Sequence, residues 1–234
     1  MIWIVIALQL VAATVSGNQY TSPAMVEKVM KAVPTDELIV VVHQLPELEK
    51  ATISFLDLPR YFNSPRVLLT DGASYPLTPS LVDRATLIQY SKLGELSLNV
   101  DVKTVTLIGG SANDCLKKSG QLLIKEIFDH REREILTIRI PSTVVWGWKH
   151  EEGGFTLNDS FCKGKPTKFD TRVKEFAETF IKDENFPDLF SITQIYQIEA
   201  VRAEEMNYGF VFTRKTDGKQ INLVIEKLCN ASYQ

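Results

Sequence analysis

Four residues have the side chains and the setting to do chemistry: His43, Asp71, Ser111 and Cys115. Cys115 follows Gly109-Gly110-Ser111 and stands at the head of a stretch with helical apolar spacing. A thiol in the first turn of a helix lies near unpaired backbone amides and the positive end of the dipole, which favours the thiolate. His43 and Asp71 each close an apolar run that reads as a strand. If those strands are parallel neighbours, their ends share one edge of the sheet. A Cys115 nucleophile with His43 as base and Asp71 as orienter is then one arrangement, with Ser111 as the alternative nucleophile. Each residue also has a plainer explanation. Asp71-Gly72 is an ordinary turn pair, Gly-Gly-Ser an ordinary strand-to-helix turn, and a cysteine at a helix start is often only packed or bridged.

Gly109 and Gly110 suggest a second use. A glycine-rich turn at a helix N-terminus exposes amides that bind anions. Trp146-Gly147-Trp148 offers a third, because two aromatics flanking a flexible residue can anchor a partner or stack on a sugar. Phe155 and Phe161 lie in the same polar connection, so the stretch from Trp146 to Phe161 is the expected binding surface. His43, His130 and His150 have no ligand spacing, so neither a metal nor a cofactor is expected. The chain also lacks the nucleotide-loop, zinc-protease, nucleophile-elbow and dithiol signatures. With a formal net charge of −3 and interspersed signs, it has no basic footprint for nucleic acid.

The elements that must position these residues alternate. Ser22-Pro23 opens a helix with Met25, Val26, Val29, Met30 and Val33 at helical spacing. Leu38–Val42 is a continuous apolar, β-branched run, as in a strand buried on both faces. A helix from Pro46, a strand Arg66–Thr70, a helix through Leu81, Ala85 and Ile88, and a strand Val102–Ile108 follow. Ser111 and Asp114 have the spacing of a capping box for the next helix, and Ile135–Ile140 is a fourth strand. This order predicts an α/β fold with a mostly parallel sheet; a curved βα-repeat solenoid is the alternative. Beyond residue 168 the pattern is α+β. An amphipathic helix carries Val173, Phe176, Ala177, Phe180 and Ile181 on one stripe. Three alternating strands then form an antiparallel meander, and Asp217-Gly218 marks its last hairpin.

The first residues give an address. Ile2–Ala13 is almost unbroken apolar sequence, and Val15 and Gly17 suit the small-residue pockets of signal peptidase, so cleavage is expected after Gly17. The expected organisation is therefore a signal peptide over 1–17, an α/β domain over 18–145, a loop or linker over 146–168 and an α+β region over 169–234. Secretion makes Asn158 and Asn230, both in Asn-X-Ser sequons, expected glycan acceptors. It also allows a disulfide, for which Cys162 with Cys229 is the favoured pairing, contributing roughly 4 kcal/mol. Cys115 is then left over, or links two chains into a homodimer. The expectation is a secreted glycoprotein without a membrane span that binds a protein or small ligand and is not an enzyme. A secreted Cys or Ser hydrolase and a disulfide-linked structural dimer are the alternatives.

Overall fold

A computed structural model describes residues 36–72, 74, 77–91, 102–130, 135–147, 156–162, 169–182, 189–199 and 205–229. The expected export signal and first helix, and Trp148, Phe155 and Asn230, lie outside the described residues. Among those described, nine strands form one mixed sheet. They are β1 (Glu37–Val42), β2 (Arg66–Thr70), β3 (Leu87–Tyr90), β4 (Thr104–Ser111), β5 (Ile135–Pro141), β6 (Val145–Trp146), β7 (Phe190–Glu199), β8 (Glu205–Arg214) and β9 (Gln220–Cys229). The order is β3-β2-β1-β4-β5-β9-β8-β7, with β6 pairing the far end of β4. Strands β3 through β9 in this order are parallel; β8 and β7 then continue antiparallel. The two halves of the sequence thus build one sheet, joined where β9 pairs β5. The sheet is open, and its strands do not follow chain order, which rules out the solenoid.

Among the described residues five α-helices accompany it: α1 (Glu49–Leu56), α2 (Pro79–Val82), α3 (Cys115–His130), α4 (Leu157–Cys162) and α5 (Phe169–Ile181). Ile39, Val41, Leu68 and Ile108 pack with Phe55, Leu56, Tyr61 and Leu81 of the α1–α2 side. Leu38, Val40, Val42, Leu107, Ile138 and Leu223 belong to the larger core with Leu116, Leu123, Phe176 and Phe180 of α3 and α5. Successive strand residues point to opposite faces, so a strand buried on both must be apolar at every position, as Leu38–Val42 is. Gly120 lets α3 and α5 close. A Cβ there would stand 2.3 Å from the Phe180 ring.

Three expected elements differ. The helix through Leu81, Ala85 and Ile88 is instead the single-turn α2 followed by strand β3. Leu81 does face the core, but Leu87 and Gln89 are buried while Tyr90 is exposed, the alternation of an edge strand. The helical spacing of these residues runs across a turn. The helix after β4 starts three residues later than its capping box implied. Ser111 ends β4, and Asp114, whose carbonyl accepts from the Lys118 amide at 2.9 Å, precedes the first helical residue. The 146–168 connection holds β6 and α4 rather than loop alone. A reciprocal capping box opens α4: the Asp159 amide donates to Thr156 Oγ1 and the Thr156 amide to Asp159 Oδ2, both at 3.1 Å.

Candidate functional site

The chain winds outward from β1 to β3 in one direction and from β4 to β5 in the other. The crevice at the C-terminal ends of β1 and β4 is therefore the topological switch point, where open α/β sheets bind ligands. Its backbone is unusual. His43, which follows β1, has φ +41° and is the one non-glycine residue with positive φ among those described. Gly109 and Gly110 at the end of β4 have φ +77° and +41°. A Cβ on Gly109 would stand 2.7 Å from the Val42 carbonyl oxygen, and one on Gly110 2.9 Å from the same atom. Left-handed conformation and close approach both demand glycine there. His43, left-handed without being glycine, carries backbone strain beside this turn, and such strain gathers at functional sites.

The structure brings most of the sequence candidates to this edge. Val42 is registered with Gly109, and Ser111 with Trp146. The Ala112 amide donates to the Trp146 carbonyl at 3.2 Å, and the Trp146 backbone bridges Thr156. Trp146 is thus half-buried framework at the rim of the crevice, and Phe161 is core, edge-to-face on Phe176. The exposed aromatic loop expected from Trp146 to Phe161 is not what these two residues form. Asp71, following β2, turns its carboxylate to accept from the Ser74 amide three residues on, at 2.8 Å.

His43 is fully buried. Its amide donates to the Leu69 carbonyl at 3.1 Å, and its Nε2 lies 2.6 Å from the Ser91 carbonyl oxygen. A carbonyl only accepts, so Nε2 carries the proton and the ring ties β1 to the end of β3 across β2. Cys115 is buried at the head of α3 and carries a thiol, 3.9 Å from the Asp114 carboxylate, which itself pairs with Lys118 Nζ at 2.9 Å. A carboxylate repels a thiolate, and it also occupies the dipole position that an external anion would take. The helix start therefore suits neither the activated thiol nor the anion site that the sequence suggested.

Gln44, which sequence reasoning passed over, is the polar group that stands out. It is 2% exposed. Its Nε2 donates to the Leu45 carbonyl at 2.7 Å, while its Oε1 has no hydrogen-bond partner among the described residues. Flipping the amide would put two oxygens together, so the orphan is an acceptor. It stands 3.4 Å from the place a Cβ on Gly109 would occupy, so it is aimed at the glycine turn. The Ser91 hydroxyl, also buried, has no partner among the described residues either. A polar residue just after a strand was the available signal, but only the fold shows that Gln44 is enclosed.

Among the described residues no group of three His, Cys, Asp or Glu side chains could hold a metal ion, and no helix is long and apolar enough to cross a membrane. The chain matches no protein-family model, no curated protein and no solved structure.

Proposed function

We propose that this chain is a secreted, N-glycosylated binding protein that takes a ligand at the switch point without transforming it. The observation that carries the reading is the coincidence at one sheet edge of three left-handed residues and a buried, unsatisfied Gln44 acceptor. An unmade hydrogen bond of this kind costs about 1–3 kcal/mol, so a fold that keeps one has another use for it. The free atom accepts, which favours ligands that present N–H or O–H groups, such as sugars or amines, over phosphates. The hydrolase reading is weaker, because His43 is fully buried and Cys115 faces a carboxylate.

Gln44→Leu tests the proposal. It removes the orphan acceptor at nearly constant volume and gives up one hydrogen bond, to the Leu45 carbonyl, so the free protein should gain about 1 kcal/mol. The purified chain and the variant are compared by thermal shift against monosaccharides, free amino acids and inorganic phosphate. A donor-rich compound should raise the melting temperature of the wild type and leave the variant unmoved. The proposal fails if the two proteins respond alike to every compound.

Maturation belongs to the same proposal. The leader is cleaved after Gly17, Asn158 and Asn230 carry glycans, and Cys162 pairs with Cys229. In support of the last, α4 packs against β9, so the elements that end at the two cysteines are neighbours. Their side chains lie outside the described residues.

A further inference from the structure

The two edges of the sheet differ in kind. One is β3, four residues long. The other is β7, ten residues long, hydrogen-bonded to β8 on one side and to no strand among the described residues on the other. Natural sheets protect a long edge with lysine, proline or inward charges. Here Phe190 through Ile198 contain no charged residue and no proline, in a chain that is 24% charged. Thr193, Gln194, Ile195 and Gln197 are exposed, and Ile195 is a large apolar side chain 46% exposed. A bulge between Ile192 and Gln194 interrupts the register with β8, which leaves Gln194–Glu199 as the regular half of the edge.

We infer that this edge pairs with β7 of a second copy of the chain, antiparallel about a two-fold axis in the Gln194–Ile198 segment. A two-fold axis perpendicular to the sheet makes identical strands run antiparallel and places each residue opposite one on the same face. Near the axis each residue lies opposite or diagonal to its own copy, which is costly for a charged edge and free of that cost for an uncharged one. An edge without charge therefore fits its own copy and gives a charged foreign strand nothing to select. Such a dimer places the two switch points far apart on opposite wings and uses no residue of the candidate site.

The mass of the intact chain in solution is the test, by light scattering and sedimentation over a range of concentrations, with and without reductant. The wild type should be a dimer that dissociates on dilution and ignores reductant. Ile195→Lys and Gln197→Lys, both at exposed positions, should weaken the dimer by about tenfold or more by setting like charges together across the axis. Hydrogen exchange on the wild type gives a readout independent of any variant: amides of 194–198 should be protected more at high concentration than at low. A monomer at all concentrations, protection that ignores concentration, lysine variants that stay dimeric, or a dimer lost only on reduction would each overturn the inference.

Discussion

Tyr61 shows how a single buried atom is read. Its ring lies in the core against Phe55, centroids 4.7 Å apart, under the Arg60 guanidinium at 4.5 Å. Its hydroxyl has no hydrogen-bond partner among the described residues. Burial disfavours the phenolate and pushes the group up to about 12, against the pull of Arg139 and Arg60. The folded chain therefore holds its proton more tightly than the unfolded one. The resulting stability is complete below the ordinary tyrosine value of 10.0 and is lost as pH rises from there toward about 12. Tyr61→Phe should stabilise the protein at neutral pH by about 1 kcal/mol, by removing an unsatisfied hydroxyl, and should flatten this alkaline loss. Urea titrations at several pH values measure both effects. At this scale the sequence was only partly informative. It pointed to the glycines at 109 and 110, whose type announces their conformation. It could not reveal Gln44, because an unmade bond depends on neighbours brought from other strands.

Between elements, the contact of α3 with α5 depends on Gly120. In an exposed helix Gly→Ala adds up to about 1 kcal/mol of stability. Here the added carbon would meet the ring of Phe180, which is 1% exposed and has no room to turn aside. Gly120→Ala should destabilise by about 1–3 kcal/mol, the range for overpacking, and a thermal melt of the variant decides the sign. A second tie crosses the opposite face. Arg139 on β5 donates through Nε to Glu226 Oε1 at 2.8 Å and through Nη1 to Glu37 Oε1 at 3.1 Å. Thr106 also donates to that Glu37 oxygen, at 2.7 Å, so one group stitches β1, β4, β5 and β9. The strands with continuous or alternating apolar patterns, β1, β2 and β7–β9, were legible because burial on one or two faces imposes those periods. β3 was missed because four residues are too few to separate a period of 2 from one of 3.6. β6 and α4 were missed because their signals are short: two residues of strand, and a capping box ahead of six residues of helix.

For the whole molecule, the sequence conveyed the α/β class and the antiparallel meander. It did not convey that both halves share a sheet, because the pairing of β5 with β9 is set by topology and by no local pattern. Export is the proposal with the widest consequences at this scale. Secreted from a eukaryotic cell, the chain should begin at Asn18, shift in mobility on removal of N-linked sugar, and yield a peptide containing Cys162 joined to Cys229 under non-reducing conditions. N-terminal sequencing, glycosidase treatment and peptide mass mapping check these in turn. Material that keeps Met1, carries no sugar and has every thiol reduced would set the secretory reading aside.

The position of β9 also bears on how the molecule is made. It lies between β5 and β8 yet follows both in the chain. During vectorial synthesis the parallel half must wait with one flank of β5 open, and the β7–β8 hairpin must wait beside it, until Gln220–Cys229 emerges to fill the slot. Closure over so long a stretch of chain is slow, and an open strand flank is sticky meanwhile. A stalled or clipped nascent chain would present that bare flank to holdase chaperones, so the yield of native protein depends on how promptly one late strand arrives.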